Sequence, residues 1–267
     1  MNGGHVTQNI HITRWGSAGP RVVLVHGGTQ GTSAAGHANF RAQEALAAQG
    51  WQIIVPDRPG HGASPAPGRP DDAEADGPWV ADLLEDGAHL VGHSFGGLVA
   101  LAATARRPEA VRSLVLIEPA LLKMAAGKPA VRKVLLRMAA AFILPWSNAT
   151  RARKVMDLLG IPDEFALTKA DLSSLGASLK QCRLPSKALM TGWLESVRKA
   201  GIPLLVISSG SNAAFMETDE LAAEVGGGTH AICPAPNHFP QWNEEMFNAM
   251  VGDFWTAAEA RIPPRAA

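Results

Sequence analysis

The chain has 267 residues, of which 46% are hydrophobic and 18% charged, and its 24 Lys and Arg balance 24 Asp and Glu. This apolar content excludes intrinsic disorder, and the length suits one large α/β unit of about 250 residues. Because there is no basic excess, we expect neither nucleic acid nor a membrane surface as a partner. The two cysteines are too few for a disulfide framework or a structural zinc site.

Six short apolar runs predict buried strands. In chain order they are residues 22–25, 53–55, 89–91, 114–117, 204–207 and 231–233. Continuous apolar runs are typical of strands that are buried on both faces of a parallel sheet. Helical patterns lie between them at 39–49, 96–106, 218–224 and 244–260, whereas the acidic stretch 69–77 is interpreted as a loop. The alternation predicts an α/β fold with a mostly parallel, doubly wound sheet.

Residues 121–200 interrupt this alternation, because no strand is predicted there. The Ala, Leu, Met, Lys and Arg content of 122–144, 151–159 and 185–199 favours helices instead. We therefore predict a helical cap at 121–200, inserted into a core domain of residues 1–120 and 201–267. An elaborate crossover connection is the alternative.

A nucleophilic serine is indicated by Gly92-His93-Ser94-Phe95-Gly96, which has the pattern G-x-S-x-G. An apolar strand runs directly into this motif and a helical pattern runs directly out, which is the context that a nucleophile elbow requires. The turn would present the Ser94 hydroxyl at a helix N-terminus, where partial positive charge favours a developing anion. A serine that only caps the helix is the alternative.

Acyl transfer also requires two N–H groups that bind the developing oxyanion. Phe95, the residue after the nucleophile, is predicted to provide one. The loop after the strand at 22–25 is predicted to provide the other from Gly28, with Thr29 as the next choice, because glycine lets the backbone approach a substrate closely.

A weakly nucleophilic serine needs a general base. Among the nine histidines, His238 is in a loop that directly follows the last predicted strand. It also follows Ser94 in the chain order serine, acid, histidine that hydrolases with this motif use. We therefore predict His238 as the base, with a structural histidine as the alternative.

Five short motifs are spread along the chain: HGG at 26–28, DRPGHGAS at 57–64, GHSFGG at 92–97, LVLIEPA at 114–120 and NHFP at 237–240. Together they resemble the α/β-hydrolase fold family over the whole chain except 121–200. The resemblance implies that fold and a serine hydrolase that needs no metal or cofactor. It also implies a structural role for Asp57 and for Arg58, which is expected to pair with a carboxylate.

The triad acid departs from the usual pattern of that family. Members usually carry it in a Gly-x-x-Asp segment after the seventh strand, but 208–214 contains no carboxylate here, and Glu217 and Asp219 come several residues later. Glu118 ends the preceding apolar strand at the same edge of the sheet. Certain bacterial esterases and zearalenone-type lactone hydrolases place their acid there, so we predict Glu118 as the acid. A helix cap or a partner for Arg58 is the alternative.

The resemblance implies hydrolysis of a carboxylic ester or lactone through an acyl-enzyme. Cleavage of a C–C or amide bond by the same residues, and a ligand receptor without catalysis, are the alternatives. We expect the cap to supply a pocket for a neutral, apolar substrate, with Thr29, Trp146, Met190 and Trp193 as contacts. Met124, Met138 and Phe142 are further apolar candidates, and plain core packing is the alternative for each cap residue.

The remaining expectations concern location and partners. Residues 1–16 lack the charged and apolar regions of a signal peptide, and the longest apolar stretch, 138–146, is far shorter than the roughly 20 residues of a membrane span. We expect a cytoplasmic protein with a small-molecule substrate and no metal, cofactor, nucleic-acid or membrane partner. The sequence is compatible with a homodimer.

Overall fold

A single sheet organises the part of the chain that the computed structural model describes, residues 10–28, 30–32 and 36–261. Its strands are β1 (Ile12–Trp15), β2 (Arg21–Val25), β3 (Gln52–Pro56), β4 (Ala88–His93), β5 (Val111–Ile117), β6 (Leu204–Ser208) and β7 (Thr229–Ile232). Their order is β1-β3-β2-β4-β5-β6-β7, and only the edge pair β1–β3 is antiparallel. The predicted α/β fold with a mostly parallel sheet is confirmed.

Helices connect these strands. They are α1 (Gly36–Asn39), α2 (Ala73–Leu83), α3 (Phe95–Arg106), α4 (Pro129–Ile143), α5 (Asn148–Leu159), α6 (Lys169–Gln181), α7 (Lys187–Lys199), α8 (Ala213–Gly226) and α9 (Glu244–Glu259). Short 3-10 segments lie at Arg41–Gln49, Pro108–Ala110, Asp163–Phe165 and Pro240–Trp242. Within the described ranges, no helix is long and apolar enough to cross a membrane.

The five inner strands, β2 to β6, are buried on both faces, which is why their sequences are largely apolar, whereas the edge strands β1 and β7 are half-buried. Along β2, Val23 and Val25 pack into a cluster with residues of α2, α3 and α7, whereas Val22 and Leu24 pack on the opposite face with residues of α9. Because successive side chains of a strand point to opposite faces, each strand supplies both layers. The parallel strands therefore present their carboxyl ends along one common edge.

The stretch 69–77 is not the loop that its acidic composition indicated. Helix α2 begins inside it, because the Asp72 side chain accepts hydrogen bonds from the backbone N–H groups of Glu74 and Ala75. Glu74 and Asp76 then lie in the first turn, where negative charge is favourable to the helix dipole. The acidic run is a helix start signal.

Residues 121–200 contain four helices, α4 to α7, and contribute no strand to the sheet. The last of them differs from the others in its packing. Met190, Trp193, Leu194 and Val197 of α7 are buried in the main cluster beside α3. Helix α7 therefore belongs to the helical layer on the sheet, and the predicted cap boundary at residue 200 includes one helix of the core. The helices that lie over the site are α4, α5 and α6.

Candidate active site

Ser94 stands at the turn between β4 and α3, with φ 53° and ψ −120°. Left-handed φ is costly for a residue that is not glycine, and such residues persist where surrounding contacts fix them. Three hydrogen bonds fix this turn. The Ser94 N–H donates to Ile117 O at 2.9 Å, and the Ser94 carbonyl accepts from Gly97 N and Ala120 N at 3.0 Å each. The serine is thus held against the end of β5.

The two glycines of the motif are required by close backbone approach. A Cβ at Gly96 would lie 2.2 Å from the carbonyl oxygen of Val25, and one at Gly92 would lie 2.5 Å from that of Gly96. Real Cβ atoms essentially never come this close. The G-x-S-x-G spacing therefore reflects the packing of the elbow against β2 as well as its turn.

His238 and Glu118 form a buried pair beside this elbow. Glu118 follows β5 directly and His238 lies in the segment after β7, and Nδ1 of the imidazole is 2.5 Å from Oε2 of the carboxylate. Each side chain is 1% exposed. The structure thus brings together the three residues predicted as nucleophile, base and acid, which are separated by up to 144 positions in the sequence.

The second oxygen of Glu118 is also engaged. Oε1 accepts from the backbone N–H of Ser209 at 2.7 Å and from the Ser209 hydroxyl. Glu118 itself has φ 38°, a second strained residue at the site. Ser209, which follows β6, therefore orients the carboxylate. Sequence reasoning missed this residue, because nothing local indicates that a serine after one strand bonds to a carboxylate at the end of another.

The pairing with Glu118 leaves Nε2 of His238 as the proton acceptor, because Nδ1 carries the proton that is donated to the carboxylate. Nε2 is buried and has no hydrogen-bond partner among the described residues. A small cavity of about 30 Å³ is lined by both His238 and Ser94. In structures without substrate, catalytic hydrogen bonds are often unformed and tighten only in the complex.

Contacts to its ring and backbone hold the histidine in place. Phe215 stacks on the imidazole with ring centroids 4.5 Å apart. His93 Nε2 donates to the carbonyl oxygen of His238 at 2.9 Å, and Asn39 Nδ2 donates to His93 Nδ1 at 3.2 Å. The N–H of His238 donates to Gly160 O at the end of α5. His93 therefore anchors the loop that carries His238.

The geometry of the Gly27–Gly28 peptide supports Gly28 as an oxyanion donor. The Gly27 carbonyl accepts from His26 Nδ1 at 2.9 Å and from Arg58 Nη1 at 3.0 Å. Because the peptide is trans, the N–H of Gly28 points the opposite way. Gly28 lines the same cavities as Ser94. Phe95 is the first residue of α3, so its N–H has no partner within the helix.

Arg58 is fully buried behind this loop. Its guanidinium pairs with Asp71 and Asp76, and it also lies 4.6 Å from the centroid of the Phe95 ring. The expected pairing of Arg58 with a carboxylate is thus present, and its partners are not Glu118. The network fixes both candidate oxyanion donors, since Arg58 contacts the Gly27 carbonyl and the Phe95 ring.

Asp71 is a residue that the sequence analysis missed. Besides pairing with Arg58, it lines the cavity in front of Ser94. Burial raises the pKa of its carboxyl, although the Arg58 charge opposes that shift. No signal in the sequence distinguishes Asp71 from the other acids of 69–77, because its position depends on a pairing with a residue of another loop.

A cavity of about 560 Å³ opens in front of Ser94. Its polar side chains come from Asp71, Ser94, Lys123, Ser178 and Lys180, and Gly28 and Phe95 line it beside Ser94. The remaining wall is largely apolar and comes from the helices over the site, through residues that include Leu135, Met138, Phe142, Met156, Leu159, Leu175 and Leu179. The arrangement suits an apolar group attached to a carbonyl at Ser94.

Three of the predicted substrate contacts lie elsewhere, which corrects the expectation. Met190 and Trp193 are buried in the core cluster because α7 packs on the sheet layer. Trp146 is 40% exposed and lies under Lys154, with 4.6 Å between the ammonium and the ring centroid. Met124 is also in the core, whereas Met138 and Phe142 do line the cavity. Thr29 lies outside the described residues.

Comparison with known proteins now assigns the family. Residues 20–198 match the family described as alpha/beta hydrolase fold. The chain belongs to this family. Lipase LipV of Mycobacterium tuberculosis is 37% identical over 125 residues, which cover only 42% of this chain and 42% of the lipase.

A second relative is similar over nearly the whole chain. The 2-hydroxy-6-oxononadienedioate/2-hydroxy-6-oxononatrienedioate hydrolase of Cupriavidus pinatubonensis is 28% identical over 94% of this chain and 92% of its own length. Among solved structures, the N-acyl homoserine lactonase AidH in complex with N-butanoyl homoserine has a TM-score of 0.69 and 19% identity, with 97% of both chains covered. This last likeness shows the shared fold. The curated relatives thus include a lipase and a hydrolase of 2-hydroxy-6-oxo dienedioates.

Buried histidines around the site should make the fold sensitive to acid. Burial lowers the pKa of His26 to about 3 and lowers the pKa of His61 and His93 well below 6.5. Below pH 6.5 the unfolded chain therefore binds protons that the folded chain excludes. Each of these histidines then lowers the free energy of unfolding by about 1.4 kcal/mol for each pH unit. Burial raises the pKa of Asp71 and Asp219, so the folded chain binds protons at these carboxyls more readily than the unfolded chain. This difference partly offsets the loss of stability at low pH.

We expect the free energy of unfolding to fall by about 2–4 kcal/mol between pH 7.5 and pH 5.5, measured by urea denaturation. The loss should begin as the pH falls through 6.5 and continue toward pH 3. An unchanged or higher urea midpoint at pH 5.5 would show that these histidines accept protons in the folded state.

Proposed function

We propose that this protein is a serine hydrolase that cleaves a carboxylic ester or lactone through an acyl-enzyme on Ser94. The observation that carries the proposal is the strained serine at the start of α3, which lines an apolar cavity beside the buried His238–Glu118 pair. We assign Ser94, His238 and Glu118 as the catalytic triad, Gly28 and Phe95 as the oxyanion donors and α4 to α6 as the cap.

Acylation begins with attack of Ser94 Oγ on the carbonyl carbon, while His238 Nε2 takes the hydroxyl proton. The N–H groups of Phe95 and Gly28 bind the oxyanion of the tetrahedral intermediate. Glu118 stabilises the imidazolium that forms. The intermediate collapses when the C–O bond breaks, and His238 returns its proton to the leaving alkoxide, which departs as an alcohol.

Deacylation repeats these steps with water. His238 Nε2 takes a proton from the water as its oxygen bonds to the acyl carbon, and the second tetrahedral intermediate uses the same two N–H donors. The bond to Ser94 Oγ then breaks, the serine regains its proton from His238, and the carboxylic acid leaves. For a lactone, acid and alcohol are parts of one product.

Cleavage of a C–C bond is a second candidate, favoured by the near full-length similarity to a hydrolase of that type. The same nucleophile, base and oxyanion donors would attack a ketone, with a carbon leaving group. A panel of p-nitrophenyl esters, lactones, amides and vinylogous diones, assayed with purified protein, separates the candidates. We expect kcat/KM to be highest for esters or lactones with apolar acyl groups. A clear preference for diones would overturn the ester assignment, and no turnover of any member would favour a receptor.

The size of the cavity should limit the acyl chain. Ala139 lines the cavity and Ala140, its neighbour on α4, lies on an outer surface groove. We expect Ala139→Phe to lower kcat/KM for long acyl esters about tenfold or more relative to acetate esters, since the added ring occupies the apolar space. Ala140→Phe is the matched control and should leave the chain-length profile unchanged. Equal profiles for both variants would mean that acyl groups bind elsewhere.

A further inference from the structure

The zero net charge of the chain conceals a strong segregation of charge. Residues 121–200 carry 14 Lys and Arg against 5 Asp and Glu, a net charge of +9, so the rest of the chain carries −9. The asymmetry is sharpest at 119–156, which has eight Lys and Arg and no acid. Residues 121–181, which contain α4 to α6, carry 10 Lys and Arg against 4 Asp and Glu, and of the eight cations at 119–156 only Arg151 is buried. The helices over the site therefore have a basic surface, although the net charge of the whole chain is zero.

Large apolar side chains are exposed on the same segment. Leu136 is 66% exposed and Ile143 is 82% exposed, and Leu144 and Trp146 follow at 44% and 40%. We define the α4 face as these four residues together with Arg132, Lys133 and Arg137. The α4 positions among them, 132, 133, 136, 137 and 143, include pairs that are three, four and seven residues apart, so they lie on one half of the helix.

The opposite side of α4 points inward. Val131 and Ala141 are buried, and Leu135, Met138 and Phe142 line the cavity in front of Ser94. One helix thus separates an exposed face of basic and apolar residues from the apolar cavity. An apolar molecule at the α4 face would be one helix away from the site.

The mixture of residue types is the one that binds at a lipid–water interface. Basic side chains are attracted to anionic headgroups, whereas Trp, Leu and Ile insert at the boundary with the acyl chains. Trp146 brings both residue types together, because it is 40% exposed and its ring centroid lies 4.6 Å from the Lys154 ammonium. Because the rest of the chain is acidic, an anionic surface would attract the α4 face and repel the other side of the molecule.

We propose that the α4 face binds an anionic lipid bilayer and orients the cavity toward it. The proposal does not rest on catalysis, because it concerns only where the folded protein docks. It commits to a lipid surface, and an acidic protein partner is an outcome of the test.

The test measures cosedimentation of the full chain with sucrose-loaded vesicles. We expect binding to vesicles of phosphatidylglycerol and phosphatidylcholine in equal amounts, and little binding to phosphatidylcholine alone. Added salt should weaken it. The triple variant Arg132→Glu, Lys133→Glu, Arg137→Glu should bind at least about tenfold more weakly. The double variant Leu136→Ser, Ile143→Ser should also bind more weakly, since insertion is lost.

The matched control reverses three exposed cations away from this face, Arg14→Glu, Arg106→Glu and Lys199→Glu. It has the same net charge as the first triple variant and should keep most of the vesicle binding. Thermal unfolding of each variant checks that it is folded. Absence of wild-type binding to anionic vesicles, or equal losses in the two triple variants, would overturn the proposal. Binding to a soluble acidic polypeptide but not to vesicles would assign the face to a protein partner instead.

Discussion

Ser94→Ala should lower kcat on activated esters by about 10⁶-fold while the protein remains folded, as expected for loss of a triad nucleophile. The substitution removes only the hydroxyl oxygen, and the hydrogen bonds that hold the elbow use the Ser94 backbone. Steady-state release of p-nitrophenol measures the loss, and thermal unfolding checks the fold.

The matched control is Ser211→Ala, a serine near the site that lies on the surface and bonds to Ser209. It should retain activity within about tenfold of wild type, because its hydroxyl bonds to Ser209 and Asn237 rather than to Ser94, His238 or Glu118. If Ser94→Ala kept a tenth of wild-type activity, Ser94 would not be the nucleophile.

Glu118→Gln should lower kcat by about 10⁴-fold, comparable to the analogous Asp→Asn change in serine proteases. The amide is nearly the same shape, so the backbone N–H of Ser209 retains an acceptor, but the charge that stabilises the His238 imidazolium is lost. Single-turnover kinetics should show the same loss in acylation as in steady-state turnover.

Asp219→Asn is the control for this second variant. Asp219 is a buried carboxyl in α8, the helix after β6, but it accepts from the Ser208 hydroxyl, and burial raises its pKa well above the usual range. Because Asp219 bonds to Ser208 whereas His238 pairs with Glu118, Asp219→Asn should lower kcat less than about tenfold. If Asp219→Asn were inactive and Glu118→Gln active, the triad acid would be Asp219, in the segment after β6, and not Glu118.

The candidate site could be predicted from sequence where a side chain follows directly from a strand end. Ser94, Glu118 and His238 each follow an apolar run, and the carboxyl ends of parallel strands meet at one edge. The absence of a carboxylate at 208–214 was as informative as the G-x-S-x-G motif, because it left Glu118 as the acid at the same edge of the sheet. The oxyanion loop at Gly28 follows from the same rule.

The features that could not be predicted depend on contacts between distant parts of the chain. The apolar stripe of α7 identifies a buried face, and Met190 and Trp193 on it pack into the core. The sequence of the helix alone does not distinguish a face that packs in the core from one that lines a pocket. Strand β1 was missed because it is a short edge strand with half-buried residues and no continuous apolar run. Asp71 was missed because its role depends on Arg58, which lies in another loop.

Mass spectrometry after treatment with a fluorophosphonate probe tests the central assignment most directly. The reagent phosphonylates an activated serine, and digestion then locates the adduct. We expect one adduct per chain, on the peptide that contains Ser94, with esterase activity lost in proportion to labelling, and no labelling of Ser94→Ala. An adduct on a different residue, or full activity in completely labelled protein, would contradict it.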